Sequence, residues 1–295
     1  MKKIVLKIFL IISVVTLGLG GVLFATAVAV ADGGIRGLST TTAEIVTYTE
    51  PLSDTTERIS LDFDTVDIEI AFGQTFSLSY PVKSTKSGKP FTEVSVVNKD
   101  YTLAVSERNV RHFSGFDIVS DDYKVTLTIP YGRGLALNIE TDTGDVRISG
   151  EGEFFTAIDI ESDTGDVYLN NLRSTTLEVS VNTADVELRD IEVDDDIDVE
   201  SDTGDVEFTN VICETLTVET DTGDVSCDDG LLDAQIIAIS TDTGEVELDL
   251  VSSRSEYSVS TRTHTGHSNV SDFEIGPRKV RIETDTGDIE IHFEN

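Results

Sequence analysis

The chain has 295 residues, with 56 acidic and 21 basic side chains and a formal net charge of −35 at pH 7. A protein this acidic repels nucleic acid and anionic lipid headgroups, and it attracts cations, cationic peptides and basic proteins. Nucleic acid is therefore excluded as a partner, although the acidity also serves to keep a long β structure soluble.

The N-terminal segment predicts a membrane anchor. Three lysines within the first seven residues precede residues 8–30, a run of 23 residues without a charge. As a helix this run reaches roughly 34 Å, which is enough to cross a hydrocarbon core of about 30 Å. The lysines before the run and Asp32 after it place the N-terminus in the cytoplasm. We therefore predict a cytoplasmic segment at residues 1–7 and a transmembrane signal-anchor at residues 8–31.

A cleavable signal peptide is the alternative interpretation of this segment. Residues 29–31 (Ala-Val-Ala) have the form that signal peptidase prefers, but the uncharged run is longer than the usual core of about 7–15 residues. Both interpretations place the following residues outside the cytoplasm. We predict a single-pass protein of the cell membrane whose C-terminal domain is extracellular. Residues 32–58, which are rich in Thr and Gly, are interpreted as a spacer from the membrane.

Residues 59–136 predict irregular first coils that also cap the structure. Asp64 opens an early copy of a motif that recurs later in the chain, and Ile59 and Leu61 precede it. Strand-like runs such as residues 123–129 follow, and loops join them.

A six-residue motif, Thr-Asp-Thr-Gly-Asp-Val, recurs through residues 137–295. The leading Asp position advances by 19–22 residues from one copy to the next. A nearly fixed period in this range indicates a stack of similar coils. Degenerate copies start at Val181 and Thr263. Intact or nearly intact copies start at Thr141, Ser162, Ser201, Thr220, Thr241 and Thr284.

Each copy carries apolar residues five and three positions before the leading Asp and four and six positions after it. In the second copy these residues are Ile158, Ile160, Val167 and Leu169. Spacing by two is the period of a strand with one buried face, and the Gly of the motif supplies the positive φ of a tight turn. The sequence therefore predicts an all-β fold, a parallel β-solenoid with about 20 residues per coil, preceded by one N-terminal transmembrane helix.

The repeats resemble the bacterial putative-adhesin family, a domain of unknown function built on Thr-x-Ser/Thr-Gly-Asp-Val repeats. Residues 125–130 (Val-Thr-Leu-Thr-Ile-Pro) and 135–139 (Leu-Ala-Leu-Asn-Ile) are also similar to that family. The similarity covers residues 59–295. The resemblance implies a membrane-attached surface solenoid, with relatives linked to adhesion and to responses against envelope stress and cationic antimicrobial peptides. It implies no catalytic residues.

Two acidic columns flank the predicted turns: the leading Asp column and a second Asp column three residues later. Like charges about 5 Å apart repel by roughly 1 kcal/mol even in water, so hydrogen bonds, raised pKa values or bound cations should offset the repulsion. Calcium favours clustered carboxylates, and the alternative is a structural role in the turns. The calcium candidates are Asp142, Asp145, Asp163, Asp166, Asp202, Asp205, Asp221 and Asp224.

His264 and His267 replace both carboxylates in one degenerate copy, which makes them candidates for a zinc or pH-responsive site. The alternative is a drifted repeat in which two imidazoles relieve the acidic columns. In a stack that follows chain order, this copy lies between the copies of Asp242 and Asp285. The last copy then forms the open end, where the charged residues of 290–294 oppose edge pairing.

Catalysis is not expected from these patterns. Glycoside hydrolysis needs a carboxylate pair whose pKa values are separated, whereas the carboxylates here recur in nearly every coil. The sequence predicts a non-enzymatic adhesion or cell-envelope interaction module that needs no cofactor. Its predicted partners are the membrane, through the N-terminal helix, and a cell-envelope component, a partner protein or a cationic peptide. The alternative is a sensor or regulator of cell-envelope stress that binds cationic antimicrobial peptides.

Overall fold

The computed structural model describes residues 41–85, 87–110 and 123–294. The predicted cytoplasmic segment, the predicted anchor at residues 8–31 and the start of the predicted spacer lie outside this part of the chain. Within it, no helix is long and apolar enough to cross a membrane.

The described residues form strands, with one short 3-10 helix at Arg254–Glu256. The strands are β1 Thr41–Tyr48, β2 Arg58–Phe63, β3 Asp67–Gly73, β4 Ser77–Thr85, β5 Thr92–Lys99, β6 Thr102–Asn109, β7 Lys124–Pro130, β8 Ala136–Thr143, β9 Val146–Ser149, β10 Phe154–Phe155, β11 Ala157–Thr164, β12 Val167–Ser174, β13 Leu177–Thr183, β14 Val186–Val193, β15 Asp196–Thr203, β16 Val206–Thr222, β17 Val225–Thr243, β18 Val246–Leu250, β19 Tyr257–Thr265, β20 Phe273–Glu274, β21 Arg278–Thr286 and β22 Ile289–Phe293. The predicted all-β fold is confirmed for these residues.

From β8 to β17, successive motif copies pair as parallel strands in register, so equivalent residues lie next to each other. Ile158 in β11 faces Leu137 in β8 on one side and Leu177 in β13 on the other. After the turn, Val167 in β12 faces Val146 and Val186 in the same way. Each of these coils therefore extends the β ladder of the coil before it, as the repeat period indicates.

The four apolar columns of the motif point into the stack. All their members are buried except Thr261 and Ser268 of the degenerate copy at Thr263, which are partly exposed. A fifth inward column, which the sequence analysis did not assign to the core, is the position just before the leading Asp. Its members are small hydroxyl residues and one valine: Thr141, Ser162, Val181, Ser201, Thr220, Thr241 and Thr284.

The motif glycines lie where neighbouring turns come into contact. Gly204 has a φ of 142° and Gly223 a φ of 158°, which disfavour any residue with a side chain. A Cβ atom on Gly204 would lie 1.8 Å from the carbonyl oxygen of Ala184, and one on Gly223 would lie 1.9 Å from the carbonyl oxygen of Gly204. Gly is therefore needed both for the turn conformation and for the close approach of the coils.

A third strand segment completes the regular coils. The chain turns into it at Asn171, Asp190 and Asn210, whose φ values of 51°, 54° and 55° lie in the left-handed region that Asn and Asp tolerate. Asn210 donates a side-chain hydrogen bond to Asp190 at 2.9 Å, which joins two of these corners. The residues that follow the corners are buried and extend the core: Leu172, Ile191 and Val211.

The order of the coils differs from the order of the chain at the C-terminal end. Val280 of β21 faces Ile237 of β17 on one side and Val259 of β19 on the other. The last motif copy therefore lies inside the stack, and the copy containing His264 and His267 is the outermost one among the described coils. The prediction that this copy lies between two others is wrong. The physical reason is that every coil offers the same ladder edges, so parallel pairing alone does not require chain order.

The end of β22 is also covered differently from the prediction. β22 pairs with β18, and residue Asn269 lies beside its other edge. The Asn269 side chain donates to the carbonyl oxygen of Ile291 at 3.2 Å and accepts from the Ile291 amide at 3.0 Å. A side-chain amide thus replaces a neighbouring strand where β22 would otherwise be open.

The N-terminal end shows the same reordering. β2 lies between β6 and β8, and β3 lies between β7 and β9. Antiparallel strands then cover this end: β5 on β6, β4 on β7, and β1 on β4. β1 falls within the segment that the sequence analysis assigned to a spacer. The antiparallel pairings end the parallel ladder and leave no copy of the repeat edge beyond them in the described part of the chain.

Candidate functional site

The second Asp column has a structural role between coils. In each case Oδ1 of one Asp accepts a hydrogen bond from the backbone amide of the equivalent residue in the next coil, at 2.7 to 3.1 Å. The acceptors are Asp67, Asp145, Asp166, Asp185, Asp205 and Asp224. The His267 amide donates to Oδ1 of Asp288 in the same way, at 2.7 Å, and this bond joins the outermost coil to its neighbour. Such charge-assisted bonds are stronger than neutral ones, so they offset part of the repulsion along the column.

The leading Asp column belongs to an exposed surface that we call the acidic face. It consists of the outward residues at the leading position and two and four residues before it, in the six coils from β8 to the end of β17. Twelve of these eighteen residues are acidic and none is basic. The twelve are Glu140, Asp142, Asp159, Glu161, Asp163, Glu178, Asp198, Glu200, Asp202, Glu219, Asp221 and Asp242.

Repulsion between these carboxylates changes their proton affinity. Repulsion by Asp159, with smaller contributions from burial and Asp198, raises the pKa of Glu178. Repulsion by Asp62, followed by partial burial and further acidic neighbours, raises the pKa of Glu140. Burial comes first for Asp142, whose pKa is also raised by like charges. The face therefore holds more negative charge than its geometry favours, and a bound cation would relieve the repulsion.

Histidine and asparagine interrupt the leading column at the degenerate copies. The Asn182 side chain donates to Asp163 at 2.8 Å. Nδ1 of His264 lies 2.8 Å from Asp285 in the neighbouring coil, and both side chains are more than half exposed. His264 thus contacts the acidic column of the next coil, as expected if an imidazole relieves its charge.

The structure does not gather the predicted metal ligands into one cluster. Among the described residues, the only group of three or more potential ligands whose ligating atoms all lie within 4.8 Å of one another is Glu247, Glu290 and His292. Neither the eight Asp candidates for calcium nor His264 and His267 belong to it. Sequence analysis missed this group because chain order places Asn269, rather than Glu290, beside Glu247.

The fold and the acidic face define an all-β protein of stacked repeats. Residues 56–292 match the Toastrack DUF4097 family, whose domain is of unknown function, and the chain belongs to this family. The predicted resemblance to adhesin-like proteins of unknown function is confirmed. None of the curated proteins compared with the chain matches it.

Two solved structures share the fold. One is described as a putative adhesin from Bacteroides fragilis NCTC 9343, with a TM-score of 0.53 and 16% identity over 85% of this chain and 97% of that chain. The other is described as a putative lipid binding protein from Parabacteroides distasonis ATCC 8503, with a TM-score of 0.54 and 15% identity over 84% of this chain and 96% of that chain. Because the identities are this low, the likeness shows the fold alone.

Proposed function

We propose that the protein is a non-enzymatic adhesion module of the cell surface, which binds a cationic component of the cell envelope or a basic partner protein through its acidic face. The observation that carries the proposal is the run of twelve carboxylates on this face, exposed except for the partly exposed Asp159, without a basic residue among them. Carboxylates at equivalent positions recur at the strand spacing of about 4.8 Å. A ligand with many positive charges therefore makes several weak contacts at once, and their combined affinity exceeds that of any single ion pair.

Two further considerations support an adhesive role. The sequence predicts an uncleaved anchor at residues 8–31, which would hold the stack outside the membrane. A structure of the same fold is described as a putative adhesin. The carboxylates also recur in nearly every coil, as expected of a binding surface rather than of a single catalytic pair.

The test compares two variants of equal charge in cells that display the full-length chain. Neutralising four residues of the acidic face should reduce attachment to cell-wall material and to protein-coated surfaces. Neutralising four exposed residues near the third strand segment should leave attachment unchanged. The first variant carries Glu161→Gln, Asp163→Asn, Glu200→Gln and Asp202→Asn; the control carries Glu192→Gln, Asp194→Asn, Asp195→Asn and Glu214→Gln. Equal attachment by both variants at equal surface levels would contradict the proposal.

A second candidate function is capture of cationic peptides by an envelope-stress sensor. The repulsion that raises the pKa values of Glu140 and Glu178 favours it, because a bound peptide would remove an existing cost. Peptide binding should then weaken steeply as salt rises, and deletion of the protein should alter induction of a stress regulon. Attachment that changes without any effect on induction favours the adhesion module instead.

A further inference from the structure

Three side chains near the C-terminal end converge on one point of the surface. β18 and β22 pair in parallel, with Glu247 facing Glu290 and Asp249 facing His292. Nε2 of His292 lies 3.6 Å from Oε1 of Glu247 and 3.8 Å from Oε2 of Glu290. These distances exceed those of ordinary hydrogen bonds, so the three groups lie close together without being hydrogen-bonded to each other.

The negative charge around this group is not compensated as it is elsewhere on the same side of the stack. Arg147 pairs with Asp145 at 2.7 Å, and Arg189 pairs with Glu187 at 2.6 Å. By contrast, within the described residues no lysine or arginine forms an ion pair with the carboxylates of β18, β22 and the turns before them. These carboxylates are Glu245, Glu247, Asp249, Asp288 and Glu290. In β18, β22 and the turns before them, His292 is the one side chain that can balance this negative charge or bind a metal through nitrogen.

The donor set selects a class of ion. One imidazole nitrogen and two carboxylate oxygens are typical ligands of Zn²⁺, with metal–ligand distances of about 2.0–2.2 Å. In a tetrahedral site such distances put the ligand atoms roughly 3.3–3.6 Å apart. The two His292 separations, 3.6 and 3.8 Å, lie at or slightly above the upper end of this range, so small side-chain rotations close the site. Calcium prefers oxygen ligands alone and a larger number of them.

We propose that Glu247, Glu290 and His292 form a surface site for zinc or a similar first-row transition metal ion. The side chains are 38%, 47% and 51% exposed, which leaves the fourth position open to water or to a ligand atom from a partner. Glu247 belongs to the coil that contains β18, and the other two residues belong to the last motif copy. A bound ion therefore links these two neighbouring coils. The site is independent of the acidic face, since its residues lie on the other side of the turn.

The experiment is calorimetric titration of the metal-depleted full-length chain with zinc chloride, with and without 1 mM calcium chloride. We expect one zinc ion per chain, little competition from calcium, and a rise in melting temperature with zinc. His292→Asn should weaken binding at least about tenfold, since even the loss of a supporting residue costs about 10–100-fold. The double variant Glu247→Gln/Glu290→Gln should do the same.

The matched control is His264→Asn/His267→Asn, which removes two exposed imidazoles outside the group and should leave zinc affinity unchanged. All variants change partly exposed side chains, so circular dichroism should show the same strand content in each. Three results would overturn the proposal: no zinc binding, unchanged affinity in His292→Asn, or loss of binding in the control. Displacement of zinc by calcium to the same extent in the unmodified chain and in His292→Asn would do so too, because it would reveal ordinary counterion binding.

Discussion

The hydrogen bonds of the second Asp column can be tested at Asp205, in the middle of the stack. Oδ1 of Asp205 accepts the amide of Asp224 at 2.8 Å. Asp205→Ala removes this acceptor. A hydrogen bond to a charged group contributes about 1.5–3 kcal/mol, and exposure to water lowers that value. We therefore expect Asp205→Ala to reduce the free energy of unfolding by about 1–2 kcal/mol, measured by urea unfolding of the full-length chain with circular dichroism.

Asp205→Asn separates the hydrogen bond from the charge. The amide oxygen can still accept from the Asp224 amide, while one charge of the acidic column is removed. We expect a change of less than about 0.5 kcal/mol. Asp202→Ala is the control, because Asp202 lies in the exposed leading column, and it should also change little. If Asp205→Asn destabilises as much as Asp205→Ala, and calcium stabilises only the unmodified chain, the carboxylate acts as a cation ligand and not as a hydrogen-bond acceptor.

Three further predictions concern the acidic face and the core. The pKa values of Glu140 and Glu178 are raised in the folded state above the ordinary 4.5, so folding favours their protonated forms and stability is lost as pH rises through the folded values. Melting temperature should therefore increase as pH falls from 7 towards 4.5. The increase should be smaller at high salt and in the double variant Glu140→Gln/Glu178→Gln. A decrease over that pH range would contradict the raised pKa values. Val206→Asp places an unpaired charge at a fully buried position and should cost roughly 3–5 kcal/mol in urea unfolding; a change within about 0.5 kcal/mol would mean that Val206 faces solvent. Gly204→Ala should destabilise more than an alanine at exposed Ser240, because its Cβ would meet the carbonyl oxygen of Ala184; equal melting temperatures would contradict the tight contact.

The core was predictable because its physical signal is local. Spacing by two within a copy and about twenty between copies defines both the inward side of each strand and its neighbour. The inward position of Thr141 and its equivalents follows from the same alternation, but polar residue types concealed it. Ser162 and Thr284 satisfy their hydroxyls by donating to the carbonyl oxygens of Gly165 and Gly244, at 3.2 and 3.3 Å. The other buried hydroxyls of this column have no hydrogen-bond partner among the described residues: Thr141, Ser201, Thr220 and Thr241.

The order of the coils was not predictable from the repeat. Each coil offers the same ladder edges, so the sequence does not say whether Ile237 pairs with Val259 or with Val280. The drifted copy at His264 is understandable afterwards, because an outermost coil has a neighbouring coil on one side only. On the other side, β19 pairs with the two-residue strand β20. Glu247, Glu290 and His292 come together only because β18 pairs with β22. Since the repeat does not predict this pairing, no sequence motif indicated the group.

Equivalent residues lie side by side in the stated order of coils, and engineered disulfides test this placement most directly. Ser240 pairs with Glu283, and Arg262 lies on the far side of Glu283. Adjacent strands are about 4.8 Å apart, and a disulfide needs Cα atoms within about 7 Å. Residues on neighbouring strands are therefore close enough to be joined, and residues two strands apart are not. With Cys213 and Cys227 replaced by Ala and Val, Ser240→Cys/Glu283→Cys should form a disulfide under mild oxidation, and Ser240→Cys/Arg262→Cys should not. A disulfide in the second variant and none in the first would contradict this order of the coils.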